Sequence, residues 1–126
     1  MSSQTFIDAD LYPFPKIHIG PALDTLKKLT PPGSVEKQPD AGYDLVFIDA
    51  DKERIHEYFQ ESLRLTRKGG LIVVDNAVRG GRIAREQVQG DLDVTGLRKF
   101  YDWIEQDRGE TVLASGIQTV GAKVWE

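Results

Sequence analysis

Two apolar runs that do not alternate with polar residues constrain the fold of this chain more than any other feature. Residues 44–49 read DLVFID, and residues 71–74 read LIVV, followed at once by Asp75 and Asn76. Strands of this kind are typical of a parallel sheet that is covered on both faces. The residues between the runs have apolar side chains at helical spacing. We therefore predict a strand, a helix and a second, parallel strand, joined by a right-handed crossover.

The helix of this unit has a predicted start and a predicted end. Asp51 is expected to cap its N-terminus, because a short carboxylate accepts hydrogen bonds from the first unpaired backbone N–H groups. Gly69 and Gly70 are expected to end it. Its inner face is predicted to consist of Ile55, Tyr58, Phe59, Ser62 and Leu63.

The N-terminal residues predict little regular structure. Pro13 and Pro15 break helices and strands, so residues 1–15 are expected to form a loosely structured segment. Residues 16–19 (KIHI) are predicted as a short strand. Gly20-Pro21 then begins a helix that has proline in its first turn.

The C-terminal third predicts a helix and a hairpin. After a loop with a helical turn at 83–87, Asp93 is expected to cap a helix over 94–107. Residues 110–115 and 120–125 are predicted as the two strands of a tight C-terminal β-hairpin. The side chains predicted to point inward from the helix are Val94, Leu97, Phe100, Tyr101 and Ile104. The chain, residues 1–126, is thus expected to form a single α/β domain.

Composition narrows the classes of function. The chain has 16 basic and 20 acidic residues and a net charge of −4, which argues against a nucleic acid partner. It has no cysteine, which excludes disulfide bonds and thiolate metal sites and favours a cytoplasmic location. No apolar stretch is long enough to span a membrane. Arg79, Arg82 and Arg85 either belong to a solvated loop or line the mouth of a site for an anionic ligand.

Polar side chains follow both predicted strands, at the edge where ligands of open α/β sheets bind. Asp49 ends the first strand, and Asp75 and Asn76 follow the second. Two carboxylates and an amide oxygen suit Mg²⁺, Mn²⁺ or Ca²⁺ better than zinc. Lys52 comes three residues after Asp49, and a lysine beside a divalent cation can accept a proton. A purely structural interpretation stays open, in which Asp51 caps a helix, Asp75 forms a turn and Lys52 is solvated.

Several motifs stand in register along the chain. They are YDLVFIDADKE at 43–53, GGLIVVDN at 69–76 and GGR at 80–82, with GPALDTL upstream at 20–26. Together they resemble the metal-dependent O-methyltransferases of the caffeoyl-CoA and catechol type. The resemblance implies a class I, Rossmann-like methyltransferase fold, in which a doubly wound seven-stranded sheet with a reversed final strand has helices on its faces. It also implies S-adenosylmethionine (SAM) and a divalent cation as cofactors.

The resemblance assigns roles to the residues at the strand ends. By position in the motifs, Asp49, Asp75 and Asn76 match metal ligands, and Lys52 matches the base that removes the phenol proton. Asp49 and Asp51 also lie where the family places contacts to its cofactor. In such a site the cation holds the two oxygens of a catecholic substrate and lowers the pKa of its hydroxyl group.

The chain departs from the family pattern at its N-terminus. Family members have a strand, a glycine-rich turn and a second strand with a ribose-binding acid before the segment that resembles 17–26, whereas residues 1–19 contain no glycine. We therefore expect residues 16–126 to be the C-terminal part of an O-methyltransferase fold, in a truncated short form such as a splice variant. We expect this chain to have lost SAM binding, to transfer no methyl group by itself and to bind divalent cations weakly. It would then be a pseudoenzyme with a regulatory or interaction role.

Loss of two neighbouring strands would leave the strand at 43–49 with a bare apolar edge, which recruits another strand. We expect residues 5–19 to fold back over this edge, or a second copy or a full-length counterpart to bind there. An alternative function is an active O-methyltransferase completed by another chain, since a homodimer supplies no glycine-rich turn. A more distant alternative is a phospho-acceptor receiver domain, with Asp8 and Asp10 as its acidic pair and Asp49 as its acceptor.

Overall fold

The computed structural model describes residues 3–10, 15–38, 40–85 and 90–118. The elements in chain order are α1 (Ser3–Asp8), α2 (Ala22–Lys28), β1 (Tyr43–Ile48), α3 (Ile55–Leu65), β2 (Thr66–Val74), a 3₁₀ turn (Arg82–Ala84) and α4 (Leu92–Asp107). The α/β class predicted from the sequence is confirmed.

The strands β1 and β2 form the predicted parallel pair around α3. Leu45 lies beside Leu71, and the register continues to Ile48 beside Val74. The register is irregular before Leu45, since Tyr43 pairs with Thr66. Both strands therefore end at the same edge of the sheet, where the chain continues into the acidic residues.

One face of the sheet is covered by helices. Val46 and Ile48 alternate with the residues of the other face, and they pack with the inner sides of α2, α3 and α4. Phe59 of α3 lies edge-on to Phe100, with ring centroids 4.9 Å apart, and edge-on to Trp103 at 5.3 Å. Buried apolar residues that form this core are Leu23, Ile48, Ile55, Tyr58, Phe59, Leu97 and Phe100. Burial of such side chains contributes about 1.5–3 kcal/mol each to folding.

The opposite face of the sheet is open, which corrects the prediction of strands covered on both sides. Leu45 is 56% exposed, Phe47 is 60% exposed and Leu71 is 59% exposed. These side chains share one face, because residues two apart in a strand point the same way. Non-alternating sequence predicted two apolar faces correctly, but α2, α3 and α4 all contribute to the core on the same side. We call Leu45, Phe47 and Leu71 the open face.

The free edge of β1 takes no strand from the described part of the chain, in which the sheet has two strands. The strand predicted at 16–19 has no regular structure, and Ile19 is 96% exposed, because no neighbouring strand is there to pair with it. Residues Ser3–Asp8 form a short helix in the segment expected to be loose, and it packs against no other described element. Residues 5–10 and 15–19 therefore add no strand to this edge, contrary to the expectation that they would cover it.

The start and end of α3 differ from the predicted ones. Its N-cap is Arg54, and Asp51 makes a different contact, described below. The helix ends at Leu65, before Gly69 and Gly70, which belong to β2. Thr66 stops the helix, because its backbone is extended and its hydroxyl group donates to the carbonyl oxygen of Ser62 at 2.7 Å. A glycine pair was therefore not needed to end it.

The cap of α4 is Asp91 and not Asp93. An Asp91 carboxylate oxygen accepts a hydrogen bond from the backbone N–H of Val94 at 3.1 Å, which satisfies one of the unpaired donors of the first turn. The predicted helical turn at 83–87 appears as the 3₁₀ turn at Arg82–Ala84, and residues 86–89 lie outside the described residues.

The chain beyond α4 does not form the predicted strand. Residues 112–118 have no regular structure, and Leu113 is 96% exposed. The backbone N–H groups of Thr111 and Val112 instead donate to the Asp107 carboxylate, which holds the chain at the end of α4. The second predicted strand, 120–125, lies outside the described residues. None of the helices in the described ranges is long and apolar enough to cross a membrane.

Candidate functional site

The candidate site begins at the carboxyl ends of β1 and β2. The backbone N–H of Asp75 donates to the carbonyl oxygen of Ile48 at 3.1 Å, so the ladder between the strands continues one residue beyond them. Asp49 and Asp75 are therefore side by side at the same edge of the sheet. This is the edge at which open α/β sheets bind ligands.

Asn76 is held in a local turn by Asp75. One Asp75 carboxylate oxygen accepts from the Asn76 backbone N–H at 2.7 Å and from the Asn76 side-chain amide at 3.2 Å. The Asn76 backbone has φ of +50°, a left-handed conformation that asparagine tolerates better than most residues. The turn therefore places a carboxylate and an amide together directly after a fixed strand.

The donors are all oxygen atoms, which fits a hard cation. The Asp49 side chain is 62% exposed, while Asp75 and Asn76 are partly buried. No cluster of three or more His, Cys, Asp or Glu side chains able to hold a metal occurs among the described residues. The candidate set has two such residues and an amide, so water or substrate oxygens would have to complete a six-coordinate shell.

Lys52 is buried beside this edge, contrary to the structural interpretation that placed it in solvent. It is 3% exposed, and its Nζ lies 3.9 Å from an Asp49 carboxylate oxygen. That Nζ has no hydrogen-bond acceptor within the described ranges. Buried ammonium groups are costly to leave without hydrogen bonds, so this Nζ is available to an acceptor from a ligand or from ordered water.

Asp51 does not cap α3 but is held by a side chain of that helix. The hydroxyl group of Tyr58 donates to an Asp51 carboxylate oxygen at 2.7 Å. Burial and this hydrogen bond raise the pKa of Tyr58 to about 12. The sequence offered no signal for this contact, because the two residues are seven positions apart and only the path of the loop between β1 and α3 brings them together.

The raised Tyr58 pKa predicts a pH-dependent contribution to stability. The neutral phenol is favoured in the folded state, so the contribution is complete below pH 10, the ordinary pKa, and declines as the pH rises towards 12. We expect Tyr58→Phe to lower the free energy of unfolding by about 1–2 kcal/mol at pH 8. The difference from wild type should shrink between pH 10 and 12, as measured by urea unfolding. Tyr43→Phe, on an exposed tyrosine, is the matched control, and a Tyr58 difference that stays constant over this range would contradict the prediction.

Two arginines of the loop after β2 are paired with acids, which leaves them less suited to an anionic ligand than the sequence suggested. Arg79 pairs with Asp93 at 2.6 Å, and Arg82 pairs with Asp91 at 2.5 Å. Arg98 of α4 donates to backbone carbonyl oxygens of the same loop. The loop is therefore neither merely solvated nor a free cationic mouth at these two arginines, but is held against the start of α4.

Comparison with known proteins identifies the family. A family model described as O-methyltransferase matches residues 5–118. The chain belongs to the O-methyltransferase family. This confirms the resemblance read from the sequence motifs, and the match extends into the N-terminal segment that they left out. The receiver-domain alternative is wrong.

Curated members of the O-methyltransferase family include close relatives. A protein named "Catechol O-methyltransferase" from Mycobacterium tuberculosis is 41% identical over 111 residues, covering 88% of this chain and 44% of the relative. A "Probable caffeoyl-CoA O-methyltransferase 1" from Dictyostelium discoideum is 36% identical over 108 residues, covering 82% of this chain and 45% of the relative. The chain thus spans about half the length of the curated relatives it matches.

Solved O-methyltransferases have the same fold over this region. The O-methyltransferase TomG from Streptomyces achromogenes, in complex with SAM, has a TM-score of 0.78 and 34% identity, covering 98% of this chain and 51% of its own. An O-methyltransferase from Bacillus cereus, in complex with SAH, has a TM-score of 0.77 and 33% identity, with 98% and 52% covered. The two-stranded unit and its helices therefore correspond to about half of a complete family fold.

Proposed function

We propose that this chain carries the cation-binding and acceptor-activating part of a metal-dependent, SAM-dependent O-methyltransferase. The observation that supports this most is the buried Lys52 ammonium, 3.9 Å from Asp49 and without an acceptor in the described part of the chain. Asp75 lies beside Asp49 at the same strand edge. A catalytic lysine beside a pair of oxygen ligands accounts for this arrangement better than an unused buried charge does.

The chemistry assigned to these residues is activation of a phenol. Asp49, Asp75 and Asn76 are the residues that would hold Mg²⁺, Mn²⁺ or Ca²⁺, and a bound cation of this kind lowers the pKa of a hydroxyl group that it contacts. A bound cation would favour the uncharged form of the Lys52 amine, and its Nζ would then accept the hydroxyl proton, leaving the substrate oxygen ready to attack a methyl group. In an O-methyltransferase completed by a glycine-rich half, Asp51, oriented by Tyr58, would provide a polar contact to the cofactor.

We further propose that the 126-residue chain neither binds SAM nor transfers methyl groups by itself. Residues 1–19 contain no glycine, so this chain does not supply the glycine-rich turn on which the family resemblance depends for SAM binding. Positioning of two reactants contributes about 7–11 kcal/mol to lowering such a barrier. The candidate activity of this chain is then confined to cation and acceptor binding.

A second candidate function is that of an active O-methyltransferase completed by another polypeptide. The supporting observation is the open face, which exposes apolar side chains where a further layer can pack, together with the edge of β1 that pairs with no strand of the described ranges. The partner we propose is a glycine-rich half from a full-length counterpart. A second copy of this chain could bind the same edge, but it would not supply a SAM site.

Titration of the full chain with Mg²⁺ or Mn²⁺ tests the first proposal. We expect saturable binding by calorimetry, and Mg²⁺-dependent amide NMR shifts that concentrate at Asp49, Lys52, Asp75 and Asn76. Weak, millimolar affinity is consistent with the proposal, because Mg²⁺ retains several waters at sites with few protein ligands. No saturable binding, or shifts spread evenly over the acidic surface, would overturn it.

A further inference from the structure

Helix α4 lies directly against the loop that joins β1 to α3, and Gly96 makes this contact. Gly96 is buried. A Cβ atom built on it would overlap the carbonyl oxygens of Lys52 and Glu53 and would lie 2.6 Å from the Glu53 carbonyl carbon. All three atoms belong to the backbone, so no side-chain rotation could relieve the overlap. The approach of the helix to this loop requires glycine.

A glycine at position 96 destabilises the helix that contains it. Gly96 is in the second turn of a 16-residue helix, where glycine is about 1 kcal/mol less favourable than alanine. Its backbone is not left-handed, so the conformation itself does not demand glycine. The close approach of the Lys52 and Glu53 backbone therefore explains why residue 96 is glycine.

The same loop is held from α3 as well. The Tyr58 hydroxyl group donates to Asp51 at 2.7 Å, and the backbone N–H of Ile55 donates to the Lys52 carbonyl oxygen at 3.3 Å. The loop that carries Asp49 and Lys52 therefore contacts α3 on one side and α4 on the other. The Lys52 side chain is buried while Asp49 beside it stays largely exposed.

We propose that Gly96 and Tyr58 are positioning residues, which hold the 49–53 loop so that the Lys52 ammonium stays buried beside Asp49. The assignment of a catalytic purpose to this position rests on the proposed function. The positioning itself does not, because it concerns only where the Lys52 amine lies.

The accessibility of the Lys52 amine tests the positioning directly. We would acetylate the folded chain with an N-hydroxysuccinimide ester and follow each lysine by mass spectrometry, comparing Gly96→Ala with Gly116→Ala. A Cβ at Gly116 meets nothing within 4 Å, so this variant controls for the glycine-to-alanine change. We expect Gly96→Ala to raise the labelling rate of Lys52 by at least about 10-fold through local opening. Gly116→Ala should leave it within about 2-fold.

Amide exchange separates positioning from general loss of the fold. The backbone amides of Leu97 and Phe100 report on the core, and they should keep their protection in Gly96→Ala while Lys52 becomes reactive. Unchanged Lys52 labelling, or core exchange that accelerates in step with it, would overturn the proposal. If Gly96→Ala does not fold, Tyr58→Phe decides the question by the same two readouts, with an expected rise of about 3-fold in Lys52 labelling.

Cation affinity of the same variants separates this inference from the proposed function. We expect Mn²⁺ to bind Gly96→Ala more weakly than wild type, because Asp49 moves with the loop. If the wild-type chain binds no Mn²⁺, the proposed function fails while the labelling result still decides the positioning.

Discussion

Replacement of Asp75 by alanine is expected to weaken Mn²⁺ binding by at least about 100-fold. Asp75 is partly buried, and its backbone N–H is tied to the end of β1 at 3.1 Å, so it is the most firmly placed of the candidate ligands. Its carboxylate also orients Asn76 through two hydrogen bonds. Loss of this one side chain therefore removes a charged ligand and releases a second one.

Two other substitutions test whether the loss of Mn²⁺ affinity at Asp75 is specific to the proposed site. Asp44→Ala removes a carboxylate from the start of β1, where Asp44 is paired with Arg67 at 2.6 Å, and should leave Mn²⁺ affinity within about 2-fold. Lys52→Met removes a positive charge that lies 3.9 Å from Asp49, and should raise Mn²⁺ affinity by about 3- to 10-fold. The opposite signs at Asp75 and Lys52 distinguish a specific site from general attraction to an acidic chain.

Calorimetric titration of the three variants at one pH and one ionic strength would measure these changes. Equal losses of affinity in Asp44→Ala and Asp75→Ala would contradict a site at the strand ends. A loss of affinity in Lys52→Met would show that the lysine supports the loop more than it opposes the cation.

The central βαβ unit was predictable because its signals are local. Apolar runs of strand length, with helical spacing between them, can be recognised without knowledge of distant residues. The parallel pairing of 45–48 with 71–74 follows from the single helix that connects the two strands. The same logic placed Asp49 and Asp75 at one edge, although their chemical roles remain proposals.

The predictions that were wrong concern features that depend on which residues lie next to them in space. The open face exists because α2, α3 and α4 all contribute to the core on the same side of the sheet, and a strand's own sequence does not tell which of its faces is covered. The predicted strand at 16–19 had the right residues, but the described residues offer it no neighbouring strand to pair with. Asp93 and Asp91 are both plausible caps by residue type, and only backbone geometry selects Asp91.

The supports of the candidate site were also beyond sequence reasoning. Tyr58 was predicted as a core residue, which is correct, but its hydroxyl group holds Asp51. Gly96 lies in a helix 44 positions after Lys52, and nothing in its sequence context indicates a contact with that loop. Arg79 and Arg82 suggested an anion site because their acidic partners come later in the chain, at the start of α4.

The largest functional effect is expected when the chain is joined to a glycine-rich half. The 126-residue chain alone should give no saturable calorimetric signal with SAH. A fusion that places the N-terminal half of the Mycobacterium tuberculosis relative before residue 16 should bind SAH and methylate a catechol. This relative is 41% identical to the chain over the 111 residues that match. The gain follows from placing the methyl donor and the acceptor in one site, an effect of about 7–11 kcal/mol. Saturable SAH binding by the chain alone would contradict the proposal.

The open face supplies a control for this fusion. Phe47→Glu places a charge where the added half is proposed to pack, and should abolish SAH binding by the fusion. Leu113→Glu changes a side chain that is 96% exposed and distant in sequence from the sheet, and should leave SAH binding unchanged. Equal effects of the two substitutions would argue against packing on the open face.

Lys52→Met in the same fusion separates binding from chemistry. The substitution leaves the glycine-rich half untouched, so SAH affinity should stay within about 3-fold of the parent fusion. Methyl transfer should fall by about 10²–10⁴-fold, the usual contribution of a general base. The loss should diminish with acceptors whose hydroxyl group is already ionised at the assay pH, because these need no proton removed. A loss of equal size for ionised and neutral acceptors would assign Lys52 to holding the loop and not to taking the proton.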